Sequence, residues 1–268
     1  MSIDLINKNG LLLIGCGKMG SALLKGWLAD GVHPEAINIV EPNPSKWLMS
    51  LPGIYLNNNL PNEVAVVVLA VKPQMMKLGL KKVSKFTNTN TIFLSIAAGS
   101  TIEMFEKELG KNSIIIRAMP NTPALVGEGV SAICGSAQCT EEDLAWAESL
   151  LSAVGIVVRV DEAHMDVVTA VAGSGPGYLF LIAESLLDAA LAEGLPAGIA
   201  DALVRQLFKG AGVLLAESTE SPATLRERVT SPNGTTAAGL GVLESSGIRE
   251  TMHNVVKAAA ARSVEMGK

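Results

Sequence analysis

The sequence predicts an α/β part built on a mostly parallel, doubly wound sheet, followed by an all-α part. Three observations carry this. Short apolar runs alternate with helix-spaced segments up to Val160, the pattern of a parallel sheet with crossover helices. A glycine-rich turn, Gly15-Cys-Gly-Lys-Met-Gly20, sits between the first such run and the first such helix. Beyond Val160 no segment reads as a strand, and the composition changes. Residues 1–160 carry 13 basic and 13 acidic residues, whereas residues 161–268 carry 8 and 13, with 19 alanines and three aromatics. The expected domains are therefore 1–160 and 161–268.

The strands follow in order. Leu11 to Ile14 is the first, and Ile37 to Val40 the second, stopped by Glu41-Pro42. Val64 to Val71 reads VAVVVLAV, apolar at every position as a strand buried on both faces must be. Thr91 to Ile96, Ser113 to Arg117, Val130 to Cys134 and Gly155 to Val160 complete the series. Ser21 to Ala29 has helical spacing, and Ser100 with Glu103 and Thr140 with Asp143 have the spacing of capping pairs. In the second part, Gly177 to Glu193 is helical and ends at Gly194 and Pro196. Helices are expected from Ala197 to Glu217, after the Ser221-Pro222 cap, from Thr235 to Glu244, and from Arg249 onward.

Composition excludes several classes. Of 268 residues, 49% are hydrophobic and 18% charged, enough for a sizeable core and incompatible with intrinsic disorder. Aromatics are 4%, too few for a protein devoted to stacking on bases or sugars. Three scattered cysteines and three histidines give no disulfide framework and no metal centre. The net charge of -5 comes without a basic patch for nucleic acid. No secretory signal opens the chain, and charges interrupt the apolar stretches before the ~20 residues of a membrane span. The expected location is the cytoplasm.

The glycine turn is GxGxxG in the context that gives it meaning. Gly15 permits the tight turn, Gly17 lets a pyrophosphate approach the backbone, and Gly20 lets helix and strand pack closely. The helix start offers its unpaired N–H groups to that anion. The turn Gly15, Cys16, Gly17, Lys18, Met19 and Gly20 thus reads as a dinucleotide site, with a plain tight turn as the alternative. Glu41 closes the second strand, where a carboxylate accepts from the ribose hydroxyls of NAD and repels a 2′-phosphate. Asn43, Ser45 and Lys46 are suited to holding that phosphate instead, so NADH against NADPH stays open with a slight lean to NADH. Val71-Lys-Pro-Gln74 lies at the strand's C-terminal end, where ligands of such sheets bind. Lys72 has the chemistry of a general acid but equally reads as solvated, and Pro73 equally reads as a strand stop. Ser95-Ile-Ala-Ala-Gly99, with Ala97, and Arg117-Ala-Met-Pro-Asn-Thr-Pro123, with Met119, Pro120 and Asn121, leave the sheet at the same edge. Their small residues suit a flat nicotinamide ring, and ordinary turn chemistry explains them as well.

In the second part, Ala172-Gly-Ser-Gly-Pro-Gly-Tyr178 is expected to expose a nest of N–H groups at a helix start, unless it serves as a hinge or for close helix packing. Thr230-Ser-Pro-Asn-Gly-Thr-Thr236 carries four hydroxyls and leads into a helix, a favourable site for a small carboxylate and equally an ordinary capped helix with a turn before it. No nucleophile–His–Asp arrangement and no phosphate loop of the GxxxxGK[ST] kind occur. The residues alone thus describe a nicotinamide-dependent oxidoreductase for a small, anionic substrate.

The ordered set IGCGKMG, AVKPQ, AAG, RAMPNTP, GSGPGY and VTSPNGTTAAGL resembles pyrroline-5-carboxylate reductase from Leu11 to Arg262, the last motif being the most specific. The resemblance implies reduction of 1-pyrroline-5-carboxylate to L-proline with NADPH or NADH, the last step of proline biosynthesis. It implies a Rossmann domain and a helical domain that intertwines with its copy in a homodimer, with five dimers forming a decamer in many members. The implied active site lies at the C-terminal edge of the sheet and is completed by the neighbouring subunit. Ile14 to Met19 and Val71, Lys72 and Pro73 are implied as cofactor contacts, Asn57 as a contact to adenosine, and Met119, Pro120 and Asn121 as the segment near the nicotinamide. Ser231, Gly234, Thr235 and Thr236 are implied to hold the substrate, with Thr236 bonding the ring nitrogen. Glu41 departs from the small or basic residues common in NADP-preferring relatives. Two other classes compete. A β-hydroxyacid dehydrogenase-like enzyme would need a lysine on the helix after the linker, absent from Gly173 to Glu193, and a non-catalytic dinucleotide sensor would not need the SPNGTT loop.

Overall fold

The structure is a computed structural model describing residues 2–87 and 90–267, with the side chains of Ser2 and Pro73 outside the description. Strands β1 (Leu11–Ile14), β2 (Ile37–Val40), β3 (Tyr55–Leu56), β4 (Val66–Leu69), β5 (Ile92–Ser95), β6 (Ile114–Met119), β7 (Gly129–Gly135) and β8 (Gly155–Arg159) form one sheet in the order β3-β2-β1-β4-β5-β6-β7-β8. Every neighbouring pair is parallel except β6 with β7.

Helices α1 (Ser2–Asn9), α2 (Lys18–Ala29), α3 (Lys46–Met49), α4 (Met76–Val83), α5 (Ile102–Leu109), α6 (Glu141–Leu151) and α7 (Met165–Val168) interleave with the strands. Their apolar faces explain the layering. Leu11 and Leu13 of β1 and Val66 and Val68 of β4 pack with Leu23, Leu24 and Trp27 of α2 and Leu150 of α6. The alternate residues Leu12, Ile14, Val67 and Leu69 pack on the other face with Met76 and Leu80 of α4 and Phe105 of α5. Period-2 alternation thus feeds two apolar layers, so β1 and β4 are apolar throughout and fully buried.

One local expectation shifts. The cap of α5 is Thr101 rather than Ser100, its side chain accepting from the Met104 amide. The Thr140–Asp143 capping box forms as expected. The eight-residue helix α1 and the two-residue strand β3 are additional to the expected elements.

The second part is helical as expected, with α8 (Gly175–Ala192), α9 (Ala197–Glu217), α10 (Pro222–Arg228), α11 (Thr235–Ser245) and α12 (Ile248–Met266). The seam differs from the expected 160/161. One compact unit comprises Met1–Ser174 with Ala258–Lys268, and the other Gly175–Lys257. The reason is local: Met165 and Ala170 are fully buried in the first unit. The end of α12 also returns to that unit, where the buried Ser263 Oγ donates to Asp166 at 2.6 Å. Beside it, a Cβ on Gly267 would fall 2.6 Å from the Gly99 carbonyl oxygen.

The Gly-Ser-Gly-Pro-Gly stretch also differs from expectation. A π-helical turn, Thr169–Gly173, leads into α8, whose first residues are Gly175, Pro176 and Gly177. These glycines lie within helix rather than in an open nest. The continuous run Glu162–Ala192 is long and apolar enough to cross a membrane by length and composition, a stretch the sequence reading had considered interrupted. Along Gly175–Lys257 only Ala200 is buried among the described residues, so this unit exposes much of its apolar surface.

Candidate active site

The order β3-β2-β1-β4 reverses direction at β1, the topological switch point where such sheets bind ligands. The glycine turn lies at its C-terminal edge. Gly15 has φ +92°, and a Cβ there would stand 2.7 Å from the Ala70 carbonyl oxygen. A Cβ on Gly20 would stand 2.6 Å from the Gly15 oxygen, whereas one on Gly17 would meet nothing within 4 Å. Two glycines therefore permit close packing, and the third leaves an opening. Gly17 is also the N-cap of α2, and no side chain caps it. Unpaired first-turn N–H groups facing an open space fit a pyrophosphate.

Glu41 folds back over this turn. Its carboxylate accepts from the Cys16 amide at 2.7 Å and from the Asn43 amide at 2.9 Å. Asn57, with φ +55°, locks Glu41 in place: its side-chain oxygen accepts from the Glu41 amide and its side-chain nitrogen donates to the Glu41 carbonyl, both at 2.9 Å. The Asn57 side chain thus holds Glu41, a role that sequence could not assign. Burial raises the pKa of the Cys16 thiol; its hydrogen bond to Ser21 opposes this, and Glu41 adds to it. The thiol stays neutral and is unsuited to be a nucleophile. Ile14, Val40, Pro42, Val71 and Met75 line a small cleft alongside. Lys72 is exposed, and Pro73 opens a 3₁₀ turn.

The same edge receives β5 and β6. Ala97 is buried, its amide donating to Ser95 Oγ at 3.3 Å. Pro120 is buried. The Asn121 side chain is engaged within the protein, accepting from the Val130 amide at 2.9 Å and donating to the Ala172 carbonyl at 3.2 Å. Met119 presses against the π-helical turn, its Cε 2.3 Å from where a Cβ on Gly173 would lie. Sequence reasoning assigned Arg117 no function, yet it is 4% exposed and paired to Glu162. The available signal was a single cation in the apolar strand Ile114–Met119. Cys134, on the adjoining strand, is held neutral: burial first, and then the Glu162 charge, push its pKa up to about 12.

In the helical unit, Asn233 adopts the left-handed conformation at φ +59°. The Gly234 amide then donates to the Ser231 carbonyl at 3.0 Å, closing a turn onto α11. Gly234 is the N-cap of α11 without side-chain capping. Ser231, Thr235 and Thr236 are exposed around it, and Thr230 Oγ1 is committed to the Arg226 carbonyl at 2.6 Å. Three hydroxyls and the first-turn amides therefore share one helix start, a geometry suited to a carboxylate.

Comparison with known proteins agrees with both halves. Residues 162–266 match the family model for pyrroline-5-carboxylate reductase dimerisation. Residues 11–99 match the model for NADP oxidoreductase, coenzyme F420-dependent. The chain is 40% identical to a pyrroline-5-carboxylate reductase of Synechocystis, covering 96% of this chain and 97% of the relative. It is 37% identical to that of Arabidopsis thaliana, covering 95% and 94%. Among solved structures, the Coxiella burnetii reductase superposes with a TM-score of 0.91 at 34% identity, covering 97% and 99%. The Plasmodium falciparum reductase with NADP bound gives 0.86 at 30%, covering 98% and 99%.

Proposed function

The chain belongs to the pyrroline-5-carboxylate reductase family, and from that premise we propose how its residues carry the reaction. It reduces 1-pyrroline-5-carboxylate to L-proline with NADH or NADPH, the last step of proline biosynthesis. The observation that carries this is the family match along nearly the whole chain, and the open glycine turn agrees with it.

In this reading the first unit holds the dinucleotide. The amides of Gly17, Lys18 and Met19 take the pyrophosphate, Ile14, Gly15 and Cys16 shape the turn beneath it, and Glu41, held by Asn57, faces the adenosine ribose. Val71, Lys72, Pro73 and Ala97 border the cofactor. Met119, Pro120 and Asn121 receive the nicotinamide, Asn121 by shaping the backbone rather than through its committed side chain. When bound, the reduced nicotinamide supplies a hydride to the imine carbon.

Residues 161–268 carry substrate binding and assembly. Ser231, Gly234 and Thr235 hold the substrate carboxylate with amides and hydroxyls. Thr236 is the catalytic residue, its hydroxyl bonding the ring nitrogen. A protonated imine is already electrophilic, and the electron pair of its C=N bond ends on that nitrogen. Positioning and fixed dipoles then supply most of the acceleration, which accounts for a site built without a strong acid–base pair.

The protein is a homo-oligomer. The finer reading is a dimer through the helical unit, assembled further into a decamer, in the cytoplasm, without nucleic-acid or membrane partners. The exposed apolar side chains of α8 and α9 support the dimer. Incubating the purified protein with pyrroline-5-carboxylate and either reduced cofactor tests the activity. Proline should form in step with cofactor oxidation, and a folded oligomer that turns over neither cofactor would refute it.

A further inference from the structure

Strand β6 ends in Arg117-Ala-Met119 and passes directly into Pro120 and Asn121. Arg117 is 4% exposed, and a buried cation requires anionic partners. It has two. Its Nη1 lies 3.2 Å from Glu162 Oε1, and its Nη2 lies 3.9 Å from Asp166 Oδ1. Neither carboxylate serves Arg117 alone. The same Glu162 oxygen accepts from the Ile102 amide at 2.8 Å, at the start of α5. The same Asp166 oxygen accepts from Ser263 Oγ at 2.6 Å, near the end of α12. Four elements of the first unit therefore converge on one guanidinium: β6, α5, the turn into α7, and the end of α12.

This arrangement is poorly explained by stability alone. Replacing a buried ion pair with apolar residues of similar volume is often neutral or stabilising. A guanidinium does what an apolar side chain cannot: its hydrogen bond to Glu162 fixes direction at one point, and the Asp166 charge at ion-pair distance draws its other nitrogen to the same side. The direction it fixes is that of the chain leaving β6. Two residues on, Met119 packs on Gly173; four residues on, Asn121 bridges Val130 and Ala172. Those contacts set where the segment arrives, and Arg117 sets where it departs. Hydride transfer is sensitive to such placement, since a misplacement of about 1 Å can cost about 100-fold.

We propose that Arg117 is a positioning residue for hydride transfer: its hydrogen bond to Glu162 and its ion pair with Asp166 set the path of Met119–Asn121 and so the seat of the nicotinamide. The proposal rests on the assignment of that segment to the nicotinamide made above.

The test uses Arg117→Met, Arg117→Lys and Glu162→Gln in the full-length oligomer. The readouts are kcat, both KM values and the primary isotope effect with cofactor deuterated at the transferred position. Arg117→Met should lower kcat about tenfold or more, which is about 1.4 kcal/mol. The cofactor KM should stay within about threefold, because the glycine turn and Glu41 lie on other strands. The isotope effect should rise as hydride transfer slows relative to product release, and Arg117→Lys should recover part of kcat. Lower activity with an unchanged isotope effect would make Arg117 merely structural and overturn the proposal. If Arg117→Met does not fold, Glu162→Gln, which keeps the cation and the shape, is read by the same criteria. Met119→Ala separates the two failures. If it changes kcat while the Arg117 variants do not, the proposal falls alone; if it leaves kcat and the isotope effect unchanged, the nicotinamide assignment falls and the proposal with it.

Discussion

The Glu41 carboxylate accepts the Cys16 amide at 2.7 Å, so the residue that ends β2 is tied to the glycine turn that follows β1. Its other oxygen accepts from Asn43 at 2.9 Å, and Asn57 clamps its backbone. A carboxylate fixed in this way favours ribose hydroxyls and opposes a 2′-phosphate. At 4 Å the repulsion of two unit charges is about 1 kcal/mol in water and about 4 kcal/mol near a protein surface. Glu41→Ser should therefore raise the ratio of kcat/KM for NADPH over NADH by about tenfold or more. Steady-state rates with both cofactors check it, and an unchanged ratio would remove Glu41 as a selector.

Thr236 occupies the first turn of α11, exposed beside the uncapped Gly234. If its hydroxyl orients the imine nitrogen, Thr236→Ala should lower kcat/KM for pyrroline-5-carboxylate by about tenfold or more, with cofactor KM unaltered. Thr236→Ser keeps the hydroxyl and should stay close to wild type. A Thr236→Ala enzyme within about twofold of wild type would show that the amides alone orient the substrate.

The parallel sheet was legible because β1 and β4 are apolar at every position, and the glycine turn because its spacing is a steric requirement. Gly15 and Gly20 are forced by backbone approaches of 2.7 and 2.6 Å. The long-range polar bonds were not legible. Nothing in local spacing shows that Asn57 reaches Glu41, or that Arg117 meets carboxylates 45 and 49 residues later (162 − 117 and 166 − 117). Composition and compactness divide the chain at different places for a related reason. Composition changes near residue 160, but the burial of Met165 and Ala170 and the return of Ser263 belong to tertiary packing. Gly-Ser-Gly-Pro-Gly is expected at an open helix start, and α8 does begin there, but the π-helical turn Thr169–Gly173 leads straight into it despite the low helix propensity of glycine.

At the outer edge of the sheet, Arg159 of β8 forks onto Glu148 of α6, with Nε and Nη2 at 2.5 and 3.0 Å from its two oxygens, and also pairs with Glu141. The hydrogen bond from Arg159 holds Glu148 below the usual carboxylate range. A depressed carboxylate stabilises the fold above its unfolded pKa, about 4.3, and loses that contribution as pH falls through the lower, folded value. Glu148→Gln should thus lower Tm modestly at pH 7, on the small scale of exposed ion pairs. The gap to wild type should narrow as the pH drops below about 4. Thermal melts of both proteins across that range check the sign, and a gap that widens toward acid would contradict it.

The helical unit makes the last prediction. Phe180 is 69% exposed, and Leu203, Leu207 and Leu214 along α9 are each more than half exposed. Residues 203 and 207 are four apart, and 207 and 214 seven apart, so these leucines lie on one helical stripe. An apolar stripe of this kind marks an interface, and the dimerisation family model spans it. Leu207→Glu would place a charge in that interface, and desolvating it is costly. Wild type should sediment as an oligomer with a Tm that rises with protein concentration. The variant should sediment near the 27.9 kDa of one chain or lose the cooperative melt of the helical unit. A wild-type chain that sediments as a monomer in solution would show that another partner covers this face. A variant that keeps the wild-type oligomer would place the interface on a different face of α9.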